Sequence, residues 1–397
     1  MRVTAVECHV LVDPAYDREA TSSNQDTIVV EVHTDEGVSG IGETDLNAWV
    51  ARACIEAPGT HTMDIGLGQS LVGMDPLDPV AAWEHLYVGT AMTGRRGAVV
   101  HALGALDMAL WDIAGKAAGV PTWQLLGEAA HERFTPYASL LPRGGDWDTF
   151  SQTLVDQATW AAGLGFRACK LELLVTGPYA HEGLDLPPTV MVETIAAVRR
   201  ATGPDFVIMV DVAYAWRTAD EALSVIETWA EHDVFFCETP LWSDDLEEYA
   251  QLAERSPIRI AAGEWQATRF EFLDLMDRAR IQVVQPDVGR VGGLTEAQRV
   301  CHLADERGRL VVPHGWKTGI TVAATSHLAA VTPNMPFFEY VPQQVAESPL
   351  RRELVADELE LANGTLPLPK RPGLGVEIDR DAMARFEEAG RRIGQPV

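Results

Sequence analysis

Apolar and polar positions alternate along the first forty-five residues. "MRVTAVECHVLVDP", "TIVVEVHT" and "GVSGIGET" each show the two-residue period of a strand, and Asp35-Glu36-Gly37 supplies a turn between the last two. "VDPAYDREATSSNQD" is small, polar and without period, so it reads as a loop. From about residue 46 to 120 the period changes. In "AVVHALGALDMALWDIAGKAAG" apolar residues recur at three and four, which predicts a helix that Gly119 and Pro121 end. The first third is therefore α+β.

Beyond Arg133 short apolar runs alternate with amphipathic stretches. The runs are "RFTPYAS", "ACKLEL", "FVIMVD", "VFFCE", "IRIAAGE", "IQVVQPD", "LVVPH" and "PFFEY". Segments such as "PTVMVETIAAVRRAT", "ADEALSVIETWAEH" and "TEAQRVCHLADERG" read as helices between them. Eight strands with intervening helices predict a parallel (β/α) barrel. An open doubly wound sheet would bring a glycine-rich phosphate fingerprint, which is missing. The segment from about Pro349, with "LPLPKRPGLG", is too irregular for another barrel unit and is expected to return to the first domain.

Composition narrows the partners. The chain has 397 residues, 47% of them hydrophobic, enough for a large core. No uninterrupted apolar run reaches the roughly 18 residues of a membrane span, and the N-terminus lacks a signal-peptide cleavage pattern. Five scattered cysteines, with no CxxC, suit a reducing cytoplasm. A net charge of −27 argues against nucleic acid and anionic membranes, and means that an anionic substrate needs positive charge gathered at its site.

The stretch "VFFCETP" places an acid at the mouth of a buried strand, and the pattern recurs. Asp211, Glu238 and Glu264 end three consecutive runs, 27 and 26 residues apart. Helix caps or surface loops would explain any one of them. Three at successive strand ends converge on one rim of a barrel, where they repel unless a cation joins them. An all-oxygen set favours a hard ion such as Mg²⁺. Asp287 and His314 follow, again 27 residues apart, so the carboxylate can fix the tautomer of the imidazole and raise its basicity. Glu339 falls on the eighth run. Lys170 and Glu172 share one face of the second, because strand side chains alternate. Either could instead be half of an interior ion pair.

Asp, Glu and Glu on successive strand ends, then an Asp/His pair, then a Glu, resembles the enolase superfamily, most closely its mandelate racemase subgroup. "GALDMALWDIAGKAAGVPTWQLLG" is also similar to the segment joining cap and barrel there. The resemblance implies a modified TIM barrel, (β/α)7β, with an α+β capping domain. The cap would take residues 1–130, the barrel 131–348, and the segment 349–397 would return to the cap. It implies Mg²⁺ on Asp211, Glu238 and Glu264, an acid/base dyad of His314 and Asp287, and Glu339 beside the forming enolate oxygen. It also implies a homo-oligomer acting on a small-molecule carboxylate. The subgroup often carries Lys-x-Lys on the second strand, where this chain has Lys170-Leu171-Glu172, and Asp-x-Asn on the third, where it has Asp211-Val212-Ala213.

The shared chemistry is removal of the proton alpha to a carboxylate, with Lys170 as a second cation and a protonated Glu339 donating to the enolate. With bases on both faces the outcome is racemisation or epimerisation. With one base, a β-hydroxyl leaves, and an acid sugar (an aldonate or aldarate) becomes a 2-keto-3-deoxy acid. Glu172 in place of the second Lys favours this dehydration. Cycloisomerisation of a lactone or anhydro sugar acid is the alternative, and a non-catalytic metal scaffold would leave the dyad unexplained. Substrate contacts are expected from the cap loop, with Tyr16, Arg18, Ser22 and Asn24, from Tyr179 or His181 after strand two, and from Tyr214, Trp216 and Trp265.

Overall fold

The computed structural model describes residues 1–18, 22–142, 145–181, 183–184 and 186–393. The alternating N-terminal runs pair as an antiparallel sheet of Val3–Val12, Asp26–Thr34 and Ser39–Thr44, in that order. Its two-residue period separates two cores. Leu11, Val29 and Ile41 join the barrel-side cluster, whereas Val10, Val12, Ile28, Val30 and Val32 join the cap cluster.

The helix Ala98–Ala118 lies against this sheet. Its 21 residues hold an 18-residue window with a mean hydropathy of 1.3, long and apolar enough to cross a membrane, although no single apolar run marked it. It is apolar on nearly all sides because it is buried on nearly all sides, 94% of that window lying inside the protein. Gly40 and Gly42 let it come close: a Cβ on either would stand 2.0 Å from the carbonyl oxygen of Ala109 or Ala105. On its other side, the Asp107 carboxylate accepts from the Thr295 amide and hydroxyl of a barrel helix at 2.9 and 2.6 Å. A second joint is Glu43 on the third cap strand. It is fully buried and accepts from the amides and hydroxyls of Thr318 and Thr321, at the start of the helix Gly319–Ala330.

The barrel strands are Pro136–Leu140, Ala168–Glu172, Val207–Asp211, Val234–Glu238, Arg259–Ala262, Val283–Val284, Leu310–Val311 and Phe338–Tyr340. The first seven pair in sequence order and the eighth pairs parallel to the first. The Gly315 amide, just past strand seven, donates to Glu339 on strand eight at 2.8 Å, so the two ends of the row meet. The run "RFTPYAS" is two elements. Arg133–Phe134 pairs antiparallel with Leu366–Pro367, and only Pro136–Leu140 enters the barrel. The final helix, Arg380–Ile393, lies on the first cap strand, close enough that a Cβ on Gly390 would stand 2.5 Å from the Val10 carbonyl.

Candidate active site

Asp211 and Glu238 end strands three and four and are direct partners in the ladder. Strand five ends two residues early, at Ala262. Gly263, at φ +130, then turns the chain so that Glu264 faces inward. Asp287 likewise stands beyond strand six, capping the short helix Val288–Val291 through a 2.6 Å bond from the Gly289 amide. His314 is three residues past strand seven, and Glu339 is the middle residue of strand eight rather than its end. The sequence placed all of these at strand ends. The short strands leave the inward turn to the following loops.

These groups converge. Lys170 is 1% exposed, and its ammonium lies 2.7 Å from Glu238, 2.8 Å from Glu339 and 3.8 Å from Asp211. The second Glu238 oxygen accepts from Gln285 at 2.6 Å. His314 Nδ1 meets Asp287 at 2.5 Å, and its Nε2 lies 3.3 Å from Glu264. A cavity of about 410 Å³ opens over this cluster, lined among others by Lys170, Glu172, Asp211, Glu264 and His314.

Burial and crowding set the charges. Burial pushes Glu238 up to about 8; Asp211, Glu339 and Glu264 add to this, while Lys170 opposes it. Glu264 is raised too, burial outweighing His314 and Arg290. Burial alone would lower His314, but Glu339 and the bond to Asp287 carry it up to about 9. Glu339 goes the other way: burial would raise it, yet Lys170 and His314 hold it below the usual carboxylate range. It accepts from Ser139 at 2.8 Å, from the Gly315 amide and from Lys170. Three donors aimed at it make Glu339 an acceptor, so the protonated donor expected from the sequence is corrected.

Glu172 is 8% exposed and lines the cavity. Lys170 turns to Glu238 and Glu339 instead, and among the described residues no hydrogen bond or ion pair holds the Glu172 carboxylate. The interior ion pair that would have made it merely structural is absent from that set. Burial, then the charge of Asp211, keeps its carboxyl well above the usual range.

The expected substrate contacts divide. Tyr214, Trp265, Tyr179 and Ser22 line the cavity. Tyr16 and Asn24 do not: Tyr16 packs on the cap core, and Asn24 is 2% exposed beneath the loop, whose Ser22 and Ser23 face the cavity instead. Among the described residues Arg18 reaches the Tyr16 hydroxyl, at 3.5 Å. His181 sits edge-on to Phe150 and Trp216 packs against Trp229.

Sequence reasoning missed three charged residues. Arg290 binds Asp45 at 2.5 Å and reaches the Glu264 carbonyl at 3.1 Å. Lys317 meets Asp45 at 3.1 Å and donates to the carbonyls of Ser23 and Asp26 in the cap. Their positions, three residues after Asp287 and three after His314, were the available signal. Asp45, Asp287 and His314 have ligand-type atoms within 4.8 Å of one another. Arg290 and Lys317 already neutralise Asp45, holding it below the usual range against its burial, so this trio is a balanced ion network rather than a metal centre.

Two family profiles together span most of the chain. "Mandelate racemase / muconate lactonizing enzyme, N-terminal domain" matches residues 2–127, and "Enolase C-terminal domain-like" matches residues 153–382. The chain belongs to the enolase superfamily, in its mandelate racemase subgroup. Among its relatives, D-galactarolactone cycloisomerase of Agrobacterium fabrum is 31% identical over 97% of this chain and 99% of that protein. L-rhamnonate dehydratase of Saccharopolyspora erythraea is 30% identical over 90% and 85%. The crystal structure of 3,6-anhydro-D-galactonate cycloisomerase from Zobellia galactanivorans superposes with a TM-score of 0.83 at 27% identity, covering 97% of this chain and 99% of that one.

Members of this superfamily bind Mg²⁺, and the donor set here fits such an ion. Asp211, Glu238 and Glu264 offer only oxygen, and burial with mutual repulsion raises Glu238 and Glu264, a cost that a divalent cation would relieve. Within the subgroup's pattern, Glu172 and Ala213 replace a Lys and an Asn, and both line the cavity.

Proposed function

We propose that the protein removes the proton alpha to the carboxylate of an acid sugar and then expels the oxygen on the β-carbon, dehydrating open-chain aldonates or aldarates to 2-keto-3-deoxy acids. One observation carries this reading: His314, paired with the buried Asp287, lines one cavity with Asp211 and Glu264, its Nε2 on the side of Glu264, and Glu238 lies buried beside Asp211. With Nδ1 committed to Asp287, Nε2 is the atom that takes the α-proton. Mg²⁺ held by Asp211, Glu238 and Glu264 would supply positive charge to the substrate carboxylate as the enediolate forms. Lys170 adds a fixed cation beside the same carboxylates, and Glu339 orients it. A second Lys for the opposite face is replaced by Glu172, which favours elimination over epimerisation. The dehydratases and cycloisomerases among its relatives support this class of chemistry.

The test is a panel of aldonic and aldaric acids with Mg²⁺ in D₂O, followed by NMR. Loss of the α-proton and appearance of a 2-keto-3-deoxy acid are expected. Substrate recovered with inverted configuration and deuterium at the α-carbon, without keto acid, would mean an epimerase.

A further inference from the structure

Two of the three acids that fit Mg²⁺ are held by the barrel itself. Asp211 and Glu238 are strand residues, paired in the ladder. Glu264 is not. Strand five stops at Ala262, and the backbone turns at Gly263 before Glu264 is reached. A group outside the sheet must fix this third acid, because Mg²⁺ tolerates little departure from octahedral geometry. Among the described residues Arg290 is the one bonded to the Glu264 carbonyl, at 3.1 Å, and its guanidinium also lies 3.6 Å from the Glu264 carboxylate. The shorter contact goes to the backbone, so it fixes the turn and leaves the carboxylate oxygens to an ion. Tyr214 and His314 reach the carboxylate instead. Arg290 is in turn placed by the cap. It sits buried on the short helix Val288–Val291 and donates to Asp45 at 2.5 Å. Asp45 directly follows the cap strand Ser39–Thr44, and Thr44 donates to the Gly289 carbonyl, also at 2.5 Å. A planar guanidinium fork can serve a carboxylate and a carbonyl at once, and an ammonium cannot match that geometry. Asp45 also cancels a positive charge that would otherwise repel an ion at Glu264.

We propose that Asp45 and Arg290 are positioning residues of the metal site: through the Arg290 guanidinium, the docked cap holds Glu264 where it binds a divalent cation. This rests on the Mg²⁺ site proposed for Asp211, Glu238 and Glu264, and it makes the cap a part of that site. Neither Asp45 nor Arg290 is a ligand. Asp45 acts through Arg290, and Arg290 acts through the backbone of Glu264. The coupling is reciprocal, so an ion that holds Glu264 also steadies the Asp45 end of the cap strand.

Calorimetric titration of the metal-free protein with Mg²⁺ tests this. Asp45→Asn keeps the shape but weakens the bond and leaves the Arg290 charge uncancelled. Arg290→Lys keeps the charge but cannot serve both partners. Each should raise the Mg²⁺ dissociation constant about 10- to 100-fold, as loss of a partner behind a ligand does. Were charge alone at work, Arg290→Lys would bind as the wild type does. Arg290→Lys carries the test if Asp45→Asn fails to fold. Asp107→Asn is the control: it loosens the cap from Thr295, at a joint that does not involve Glu264, and should leave the affinity within about threefold. Hydrogen exchange gives a second readout. Saturating Mg²⁺ should slow exchange in peptides spanning Thr44 and Asp45 of the wild type, and not in Arg290→Lys. Wild-type affinity in Arg290→Lys, or an equal loss in Asp107→Asn, would overturn the proposal and leave the metal site standing. A wild type that binds no Mg²⁺ would remove the metal site and the proposal with it.

Discussion

Replacing Asp287 by Asn tests the dyad with a minimal change of shape. One Asp287 oxygen accepts from the Gly289 amide at 2.6 Å and the other meets His314 Nδ1 at 2.5 Å. An Asn must choose. With its NH₂ toward Gly289, two donors face each other in a buried site, which costs about 1–3 kcal/mol. With its oxygen toward Gly289, the NH₂ donates to Nδ1 of His314. That second orientation is preferred by about fivefold to 150-fold at 1.36 kcal/mol per decade. It moves the imidazole proton to Nε2, where the Glu264 carboxylate at 3.3 Å accepts it. The nitrogen on the Glu264 side is then no longer a base. Loss of a positioned base costs roughly 10²–10⁴-fold in rate, and the corresponding tautomer error in serine proteases costs about 10⁴. The assay is α-proton exchange in D₂O with the fastest acid of the panel, beside ¹⁵N NMR of the ring and a thermal melt. The expected result is a folded protein, an Nε2-protonated His314 and a rate down at least a hundredfold. Exchange within about threefold of wild type, or a proton still on Nδ1, would refute the assignment.

Other outcomes follow from the same geometry. Mg²⁺ should raise the melting temperature of the wild type but not of Asp211→Ala, and a chelator should stop turnover; activity that survives chelation removes the metal from the mechanism. His327 is a buried neutral imidazole, accepting from the Trp123 amide at Nδ1 and pairing through Nε2 with the Leu374 carbonyl. Burial holds its pKa at about 4. The unfolded chain therefore binds the extra proton first, and stability should fall as pH drops from about 6.5 to 4, by on the order of 3 kcal/mol in all. Urea midpoints for wild type and His327→Gln across that range would show it, and equal slopes would refute it. Gly42→Ala would set a Cβ 2.0 Å from the Ala105 carbonyl, so a loss of about 3 kcal/mol or more is expected in denaturant melts. Lys317→Met frees the carbonyls of Ser23 and Asp26, and should raise KM and speed trypsin cleavage after the exposed Arg18; unchanged proteolysis would mean that Lys317 does not hold the cap loop.

The barrel and its acids were legible in one dimension. A constant spacing of 26 or 27 residues from Asp211 to Glu238 to Glu264, and from Asp287 to His314, is the period of a strand plus its helix. Alternation within a strand put Lys170 and Glu172 on one side without any knowledge of the third dimension. What the tertiary structure decided depends on which distant segments dock. Asp45 and Arg290 are 245 residues apart, and they meet only because the cap helix and sheet sit over strands six and seven. The choice of Ser22 and Ser23 over Tyr16 and Asn24 is set by how the cap loop lies against Lys317. The fate of Lys170 is similar: it pairs across the interior with Glu238 and Glu339 rather than with its neighbour Glu172. Glu339 became an acceptor, and Tyr214 joined a wall with Trp265, through contacts between strands that the local pattern does not encode. Periodicity reports which way a side chain leaves its own backbone. Its partners, and so its charge and its role, come from packing between elements far apart in the chain.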